Sequence, residues 1–478
     1  MLLNWNFDNS YLKLPENFYS FVKADIFPKP KIALFNKELS ENLNLQFSNT
    51  NDQDLALILS GQKKTEGSIL FSQAYAGHQF GHFTVLGDGR ALFLGEHINN
   101  KNERFDIQLK GSGKTPYSRN GDGKAVLGPM LREYIISETM FYLGIPTTRS
   151  LAVILTGEKV LREKYLPGAV LTRVAKSHIR VGTFQFASIQ KDKNYIRELT
   201  NYSINRHYPE LLKNKYNVED FLEKIILKQV DLIVNWMRVG FIHGVMNTDN
   251  MSIVGETIDY GPCAFMDEYN PKTVFSSIDQ FGRYSYENQP KIAQWNLARF
   301  AETILFLIDK DEKIAIKKAE KILSKFQDEY NHAWLKMMKE KIGLVEDNQN
   351  DIKLIAELLN IMHVFKLDYT NTFLDLKDDK INKHVFFKEW LEKYKDRKKL
   401  EKKDKDILKN ITEKSNPVII PRNHIVEKYI KEAENNKYNN LKNFLNLIKN
   451  PYDSNNIPDN LKKPATNEGK VFQTFCGT

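Results

Sequence analysis

Two short stretches bring oxygen ligands and a carboxylate close together: "HGVMNTDN" at 243–250 and "IDYGP" at 258–262. Asn250 and Asp259 lie nine positions apart in adjacent turns. An amide and a carboxylate form a hard-oxygen site suited to Mg²⁺, which takes one or two protein ligands and completes its shell with phosphate oxygens and water. Asp249 adjoins Asn250 and can be aimed at the same phosphates, where a general base must come within hydrogen-bond reach of the attacking hydroxyl. Upstream, Lys110 ends a strand-like segment and Glu133 falls on the following helix pattern. A glutamate partner would hold the lysine ammonium at one position against phosphate oxygens.

The spacing from His243 to Asn250, followed by Asp-Tyr-Gly, is that of the protein-kinase catalytic and metal loops, H-R-D-x-x-x-x-N and D-F-G. Val245 occupies the place of the kinase base and cannot accept a proton. Placing the carboxylate six residues after the histidine instead of two, at Asp249, points to attack on a different phosphorus. His243 itself reads as a loop brace. "GSGKT" at 111–115 imitates the end of a Walker A loop, but the required first glycine would be residue 108, which is Gln108, so Gly111 and Gly113 read as a turn after a strand.

The elements needed to position these residues are legible in outline. ALFLGEHI at 91–98 and RFDIQLKG at 104–111 read as two strands of a hairpin, and "LGDGR" at 86–90 as a tight turn. Pro129 suits the first turn of a helix carrying Leu131, Ile135, Glu138 and Tyr142 on one stripe, and Gly144 with Pro146 ends it. After about residue 190 the pattern becomes mainly helical. It includes 221–240, ended by Gly240, then 291–309, 313–342 and 351–362. The expected fold class is therefore α+β and bilobal, with a mixed N-lobe at 1–187, a helical C-lobe core with the catalytic and metal loops at 188–330, and a C-terminal helical extension and tail at 331–478.

Composition narrows the class. A chain of 478 residues with 41% hydrophobic and 27% charged residues is globular and long enough for a cleft between lobes. The net charge of +9 is concentrated: residues 377–409 hold thirteen Lys or Arg against eight Asp or Glu. Mixed-sign runs of this kind are solvated helix faces, so no specific nucleic-acid partner is expected. The longest apolar run, 225–237, is broken by Lys228 and Asp231 and falls short of the roughly 20 residues of a membrane span, and the N-terminus lacks a signal-peptide pattern. The expectation is a cytoplasmic protein without a membrane partner.

Taken together, "YAGHQFG" (75–81), "LGDGRA" (86–91), "LKGSGKTPYSR" (109–119), "LREY" with "SETM" (131–140), "HGVMNTDN" and "IDYGP" resemble the selenoprotein O family of kinase-like protein adenylyltransferases, over almost the whole chain. The resemblance implies a pseudokinase fold holding ATP inverted, with AMP passed to a protein Ser, Thr or Tyr hydroxyl and pyrophosphate released. By matching motifs it implies nucleotide contacts from Gly87, Gly89, Arg90, Lys110, Asp122, Gly123, Arg173, Arg180 and Asp259. It further implies Glu133 as the partner of Lys110, Asn250 and Asp259 as ligands of Mg²⁺ or Mn²⁺, and Asp249 as the base. Cys476, third from the end, resembles the place of selenocysteine in eukaryotic members, with Cys263 as the available partner for a redox pair. UMP transfer from UTP, ordinary phosphotransfer and a catalytically inactive nucleotide-binding scaffold stand as alternatives, and the oligomeric state is left open.

Overall fold

The computed structural model describes residues 4–47, 50–214, 217–455, 457–466, 469–471 and 473–474. Its first half is built on an antiparallel sheet of eight strands: β1 (Tyr19–Phe21), β2 (Lys31–Phe35), β3 (Phe71–Gln79), β4 (His82–Gly87), β5 (Ala91–Ile98), β6 (Arg104–Lys110), β7 (Arg149–Leu161) and β8 (Tyr165–Ala175). The order is β1-β3-β5-β6-β8-β7-β2, with β4 paired to β3. The expected hairpin is β5 with β6, in a register that sets Ala91 opposite Lys110 and Ile98 opposite Arg104.

Side chains alternate across a strand, so β6 divides its residues between two environments. Ile107 and Leu109 enter one apolar cluster together with Leu39 of α1 (Lys37–Asn42) and with Leu55 and Ile58 of α2 (Asp52–Leu59). Gln108 and Lys110 face the other way. On that side α3 (Leu127–Tyr142) packs against β7 and β8, and Gly144, at φ +76°, turns the chain out of the helix.

The helical half begins earlier than expected, at α4 (Val181–Ser188). At its start the Thr183 hydroxyl accepts the Arg180 backbone N–H at 3.2 Å, and the Thr183 N–H donates to the Arg180 carbonyl at 2.9 Å. Arginine is outside the Ser, Thr, Asp and Asn signature of helix starts, which is why the sequence pattern does not announce this one. There follow α5 (Asn194–His207), α6 (Asn217–Val239), α7 (Gln289–Ile308), α8 (Glu312–Lys341), α9 (Asp351–Val364), α10 (Tyr369–Lys377), α11 (Lys388–Lys398), α12 (Lys405–Ser415) and α13 (Asn423–Glu434). α6 buries its apolar stripe against α7 and α8, and Gly240, at φ +70°, closes it directly before the 243–250 turn. No helix among the described residues is long and apolar enough to cross a membrane.

The Lys-rich stretch forms parts of α10, α11 and α12. Trp390 and Tyr394 point inward, and charged neighbours pair on the surface, as in Lys399 with Asp396 at 2.7 Å. α13 returns to the first half and packs on α3. Arg422, immediately before α13, is 1% exposed and pairs with both Asp267 and Asp368. Removing it would strand two partly buried carboxylates. Arg422→Ala is expected to lower unfolding free energy by on the order of 3 kcal/mol, read as a lower urea midpoint.

Candidate active site

A cavity of about 1280 Å³ lies between the sheet and the helical half. Gly89, Arg90, Lys110, Arg173, Arg180, Asp249, Asn250 and Asp259 all line it. Three cations converge on Asp259. Its Oδ1 accepts from Arg173 at 2.7 Å and from Lys110 at 3.4 Å, and its Oδ2 accepts from Arg180 at 3.2 Å. Burial would raise the Asp259 pKa, but the charges of Arg173, Lys110 and Arg180 outweigh it and hold the group well below the usual carboxylate range.

Behind these groups Glu133, fully buried on α3, accepts from Lys110 at 2.7 Å and from Arg173 at 2.8 Å. Burial again opposes the charged form, and Arg173 and Lys110 again prevail, so Glu133 stays ionised with a lowered pKa. The expected Lys110–Glu133 pair is therefore formed, and Arg173 joins it. Arg180 spans to the 243–250 turn, donating to the Asp249 carbonyl at 3.0 Å while its guanidinium lies 4.4 Å from the centre of the Tyr75 ring. Lys110, Arg173 and Arg180 are thus buried cations whose places are fixed by Glu133 and Asp259, and their N–H groups are of the kind that binds phosphate oxygens.

The turn 243–250 is braced much as the sequence suggests. His243 bonds through Nε2 to the Ile258 carbonyl at 2.9 Å, tying the turn to the segment that carries Asp259. Burial lowers its pKa and keeps the ring neutral. Asn250 donates through Nδ2 to the Val245 carbonyl at 3.0 Å, which leaves the Oδ1 lone pairs for a cation. The residue that replaces the kinase base thus serves through its backbone. Asn250 and Asp259 both line the cavity, and an amide oxygen together with a carboxylate is a donor set of the kind that fits a hard divalent cation.

Asp249 is buried in the same wall. Gln79 donates to its Oδ2 at 3.3 Å, while Oδ1 has no hydrogen-bond partner among the described residues. Burial pushes its pKa up to about 6, against the lowering influence of Arg180. The β3–β4 hairpin sits directly on it: a Cβ at Gly77 would come within 2.9 Å of the Asp249 Cβ and Cγ, and one at Gly182 within 3.1 Å of its Cα. The hairpin is also latched by bonds from His78 N–H to Thr248 Oγ1 at 2.7 Å and from Phe80 N–H to Asn247 Oδ1 at 3.0 Å.

Other expected residues stand apart. Asp122 lies at the rim, bonded to Arg162 at 2.9 and 3.1 Å, and neither it nor Gly123 lines the cavity. Arg162 does line it. Gly87 packs under the Tyr117 ring and supports the turn that brings Gly89 and Arg90 to the wall. Lys114 of the Walker-like "GSGKT" is exposed and outside the cavity, and Thr115 bonds the Asp88 carbonyl at 2.7 Å, as a turn residue would. Cys263 is buried, and Cys476 lies outside the described residues. Gln79, Gly77 and Gly182 were not anticipated. The available signal was a glycine inside the strand-like "YAGHQFG", which marks close approach of another group.

Residues 1–450 match the family model described as Protein adenylyltransferase SelO. The chain is 52% identical over 483 residues to the Protein nucleotidyltransferase YdiU of Pelagibacter ubique (strain HTCC1062), covering all of both chains. It is 50% identical over 480 residues to the protein of that name from Brevibacillus brevis (99% of this chain and 98% of the relative) and 51% identical over 483 residues to that of Clostridium botulinum (strain Hall; 99% and 98%).

The tight seat of Asp249 under the hairpin gives a direct test. Gly77→Ala is expected to displace the carboxylate and cut nucleotide turnover by roughly 10²-fold. Nucleotide affinity, measured by calorimetry with a non-hydrolysable analogue, should stay within about threefold because the cations of the phosphate site are untouched.

Proposed function

Since this chain belongs to the SelO family of protein adenylyltransferases, it is a protein nucleotidyltransferase, and we propose that its cavity passes AMP from ATP to a Ser, Thr or Tyr hydroxyl through Asp249 within a kinase-like, bilobal frame. The observation that carries the residue assignment is the pairing of a buried carboxylate, Asp249, with a cluster of three cations on the same wall. An ordinary phosphotransferase and an inactive scaffold are set aside by the family assignment, and Val245 leaves the first without a base at the usual place.

In this reading the acceptor oxygen attacks the α-phosphorus, the bond from that phosphorus to the bridging oxygen of the β-phosphate breaks, and pyrophosphate departs. Asp249 takes the hydroxyl proton on Oδ1 or, once Gln79 yields, on Oδ2. Lys110, Arg173 and Arg180 lie where negative charge accumulates on the leaving group, and they are preorganised by Glu133 and Asp259, so little rearrangement accompanies transfer. A divalent cation held by Asn250 and Asp259 would supply further neutralisation of phosphate charge. Glu133 keeps Lys110 and Arg173 in place.

Incubation with α-labelled and γ-labelled ATP distinguishes the chemistry: protein-bound label is expected from the α-position only, it should be lost with EDTA, and α-labelled UTP with Mn²⁺ tests the pyrimidine donor. Label arriving from the γ-position would defeat the assignment. Asp249→Asn should lower transfer by roughly 10²–10⁴-fold with ATP affinity retained. The base works as the carboxylate, and burial raises its pKa to about 6. The kcat profile is therefore expected to be flat above that value and to fall tenfold per pH unit below it, as the proton occupies the base.

A further inference from the structure

The mouth of the cavity carries a surface that transfer itself does not use. Ile278 lines the mouth yet is 66% exposed, and Phe281, three residues on, is 96% exposed. These side chains do not hang on a loose loop. The Asp279 carboxylate between them accepts the backbone N–H groups of Arg283 at 2.9 Å and Tyr284 at 2.8 Å, and the Tyr284 hydroxyl donates to Asn247 Oδ1 at 2.7 Å in the 243–250 turn. A fixed frame thus presents two large apolar groups to water beside the turn that carries Asp249, where a monomer gains nothing from exposing them.

Arg283 completes the surface. Its guanidinium lies 4.9 Å from the Trp295 ring centre and borders Gly81 at the tip of the β3–β4 hairpin. Its Nε is buried without a hydrogen-bond partner, and among the described residues no carboxylate forms a salt bridge with it. A cation seated against a ring, next to exposed apolar groups and at the lip of a cleft, is suited to a partner that brings a carboxylate and an apolar side chain together.

We propose that the lip formed by Ile278, Phe281 and Arg283 docks the acceptor protein through a segment bearing an apolar residue and an Asp or Glu close to the modified hydroxyl. This rests on the reading of the cavity as a site of AMP transfer to protein. The occupant follows from three observations. The acceptor of a protein nucleotidyltransferase is a polypeptide, so residues flanking its hydroxyl must cross the lip. Ile278 belongs to both cavity wall and outer surface, making the two continuous. The Arg283 guanidinium at the lip, in no salt bridge among the described residues, supplies the cation that an acidic flank complements.

The test uses α-labelled ATP with dephosphorylated casein as an acidic acceptor and myelin basic protein as a basic one. Wild-type protein is expected to label casein at least about fivefold more efficiently, and Phe281→Asp and Arg283→Glu should each raise the KM for casein about five- to tenfold with kcat and ATP-analogue affinity unchanged. Phe281→Leu and Arg283→Lys should restore most of the efficiency. An unchanged casein KM in both charge variants, a preference of wild type for the basic acceptor, or losses confined to kcat would overturn the proposal. Labelling of the chain itself in place of casein, lost in the same variants, would make the occupant a second copy and also overturn it. Absence of α-label from casein, basic protein and the chain alike would instead overturn the transfer reading of the cavity.

Discussion

The site depends on one shared counter-ion. Asp259 receives Lys110 from β6, Arg173 from β8 and Arg180 from the start of α4, so a single carboxylate draws the sheet and the helical half to one point. Burying three cations would be prohibitive without it, and burying Asp259 would be equally so without them. Glu133 shares two of those partners from α3, which fixes the helix against the sheet. The three cations are already desolvated and aimed, because protein carboxylates hold their places in advance.

A second constraint acts from above. The β3–β4 hairpin touches the 243–250 turn through backbone donors at His78 and Phe80 and through the missing side chain of Gly77. That contact helps to bury Asp249, and burial raises its pKa to about 6. The two positions differ in their surroundings: the Val245 carbonyl accepts from the Asn250 amide, whereas Asp249 lies under the hairpin. Asp122, by contrast, is claimed by Arg162 at the rim, so in this arrangement the cation and not the carboxylate reaches the cavity.

The C-terminal helices contribute by holding α3. Arg132 on that helix donates to the Cys263 carbonyl at 2.9 Å and pairs with Glu427 of α13 at 2.6 Å, linking the helix of Glu133 to the segment just after Asp259. The region that looks like an appendage in the sequence is therefore part of the support for the Lys110–Glu133 pair.

The sequence alone determined the elements and the chemistry available to them. Strand-like runs at 91–98 and 104–111, helical spacing at 221–240 and the glycines at 144 and 240 are local patterns set by neighbours a few residues apart, and β5, β6, α3 and α6 follow them closely. Local motifs likewise marked Asp249, Asn250 and Asp259. Only the tertiary structure decided who meets whom: Arg173 with Asp259 across 86 positions, Gln79 with Asp249 across 170, and Asp122 with Arg162 in place of the cavity. Such partnerships leave no periodic trace, because burial and charge compensation act through space after the chain has folded.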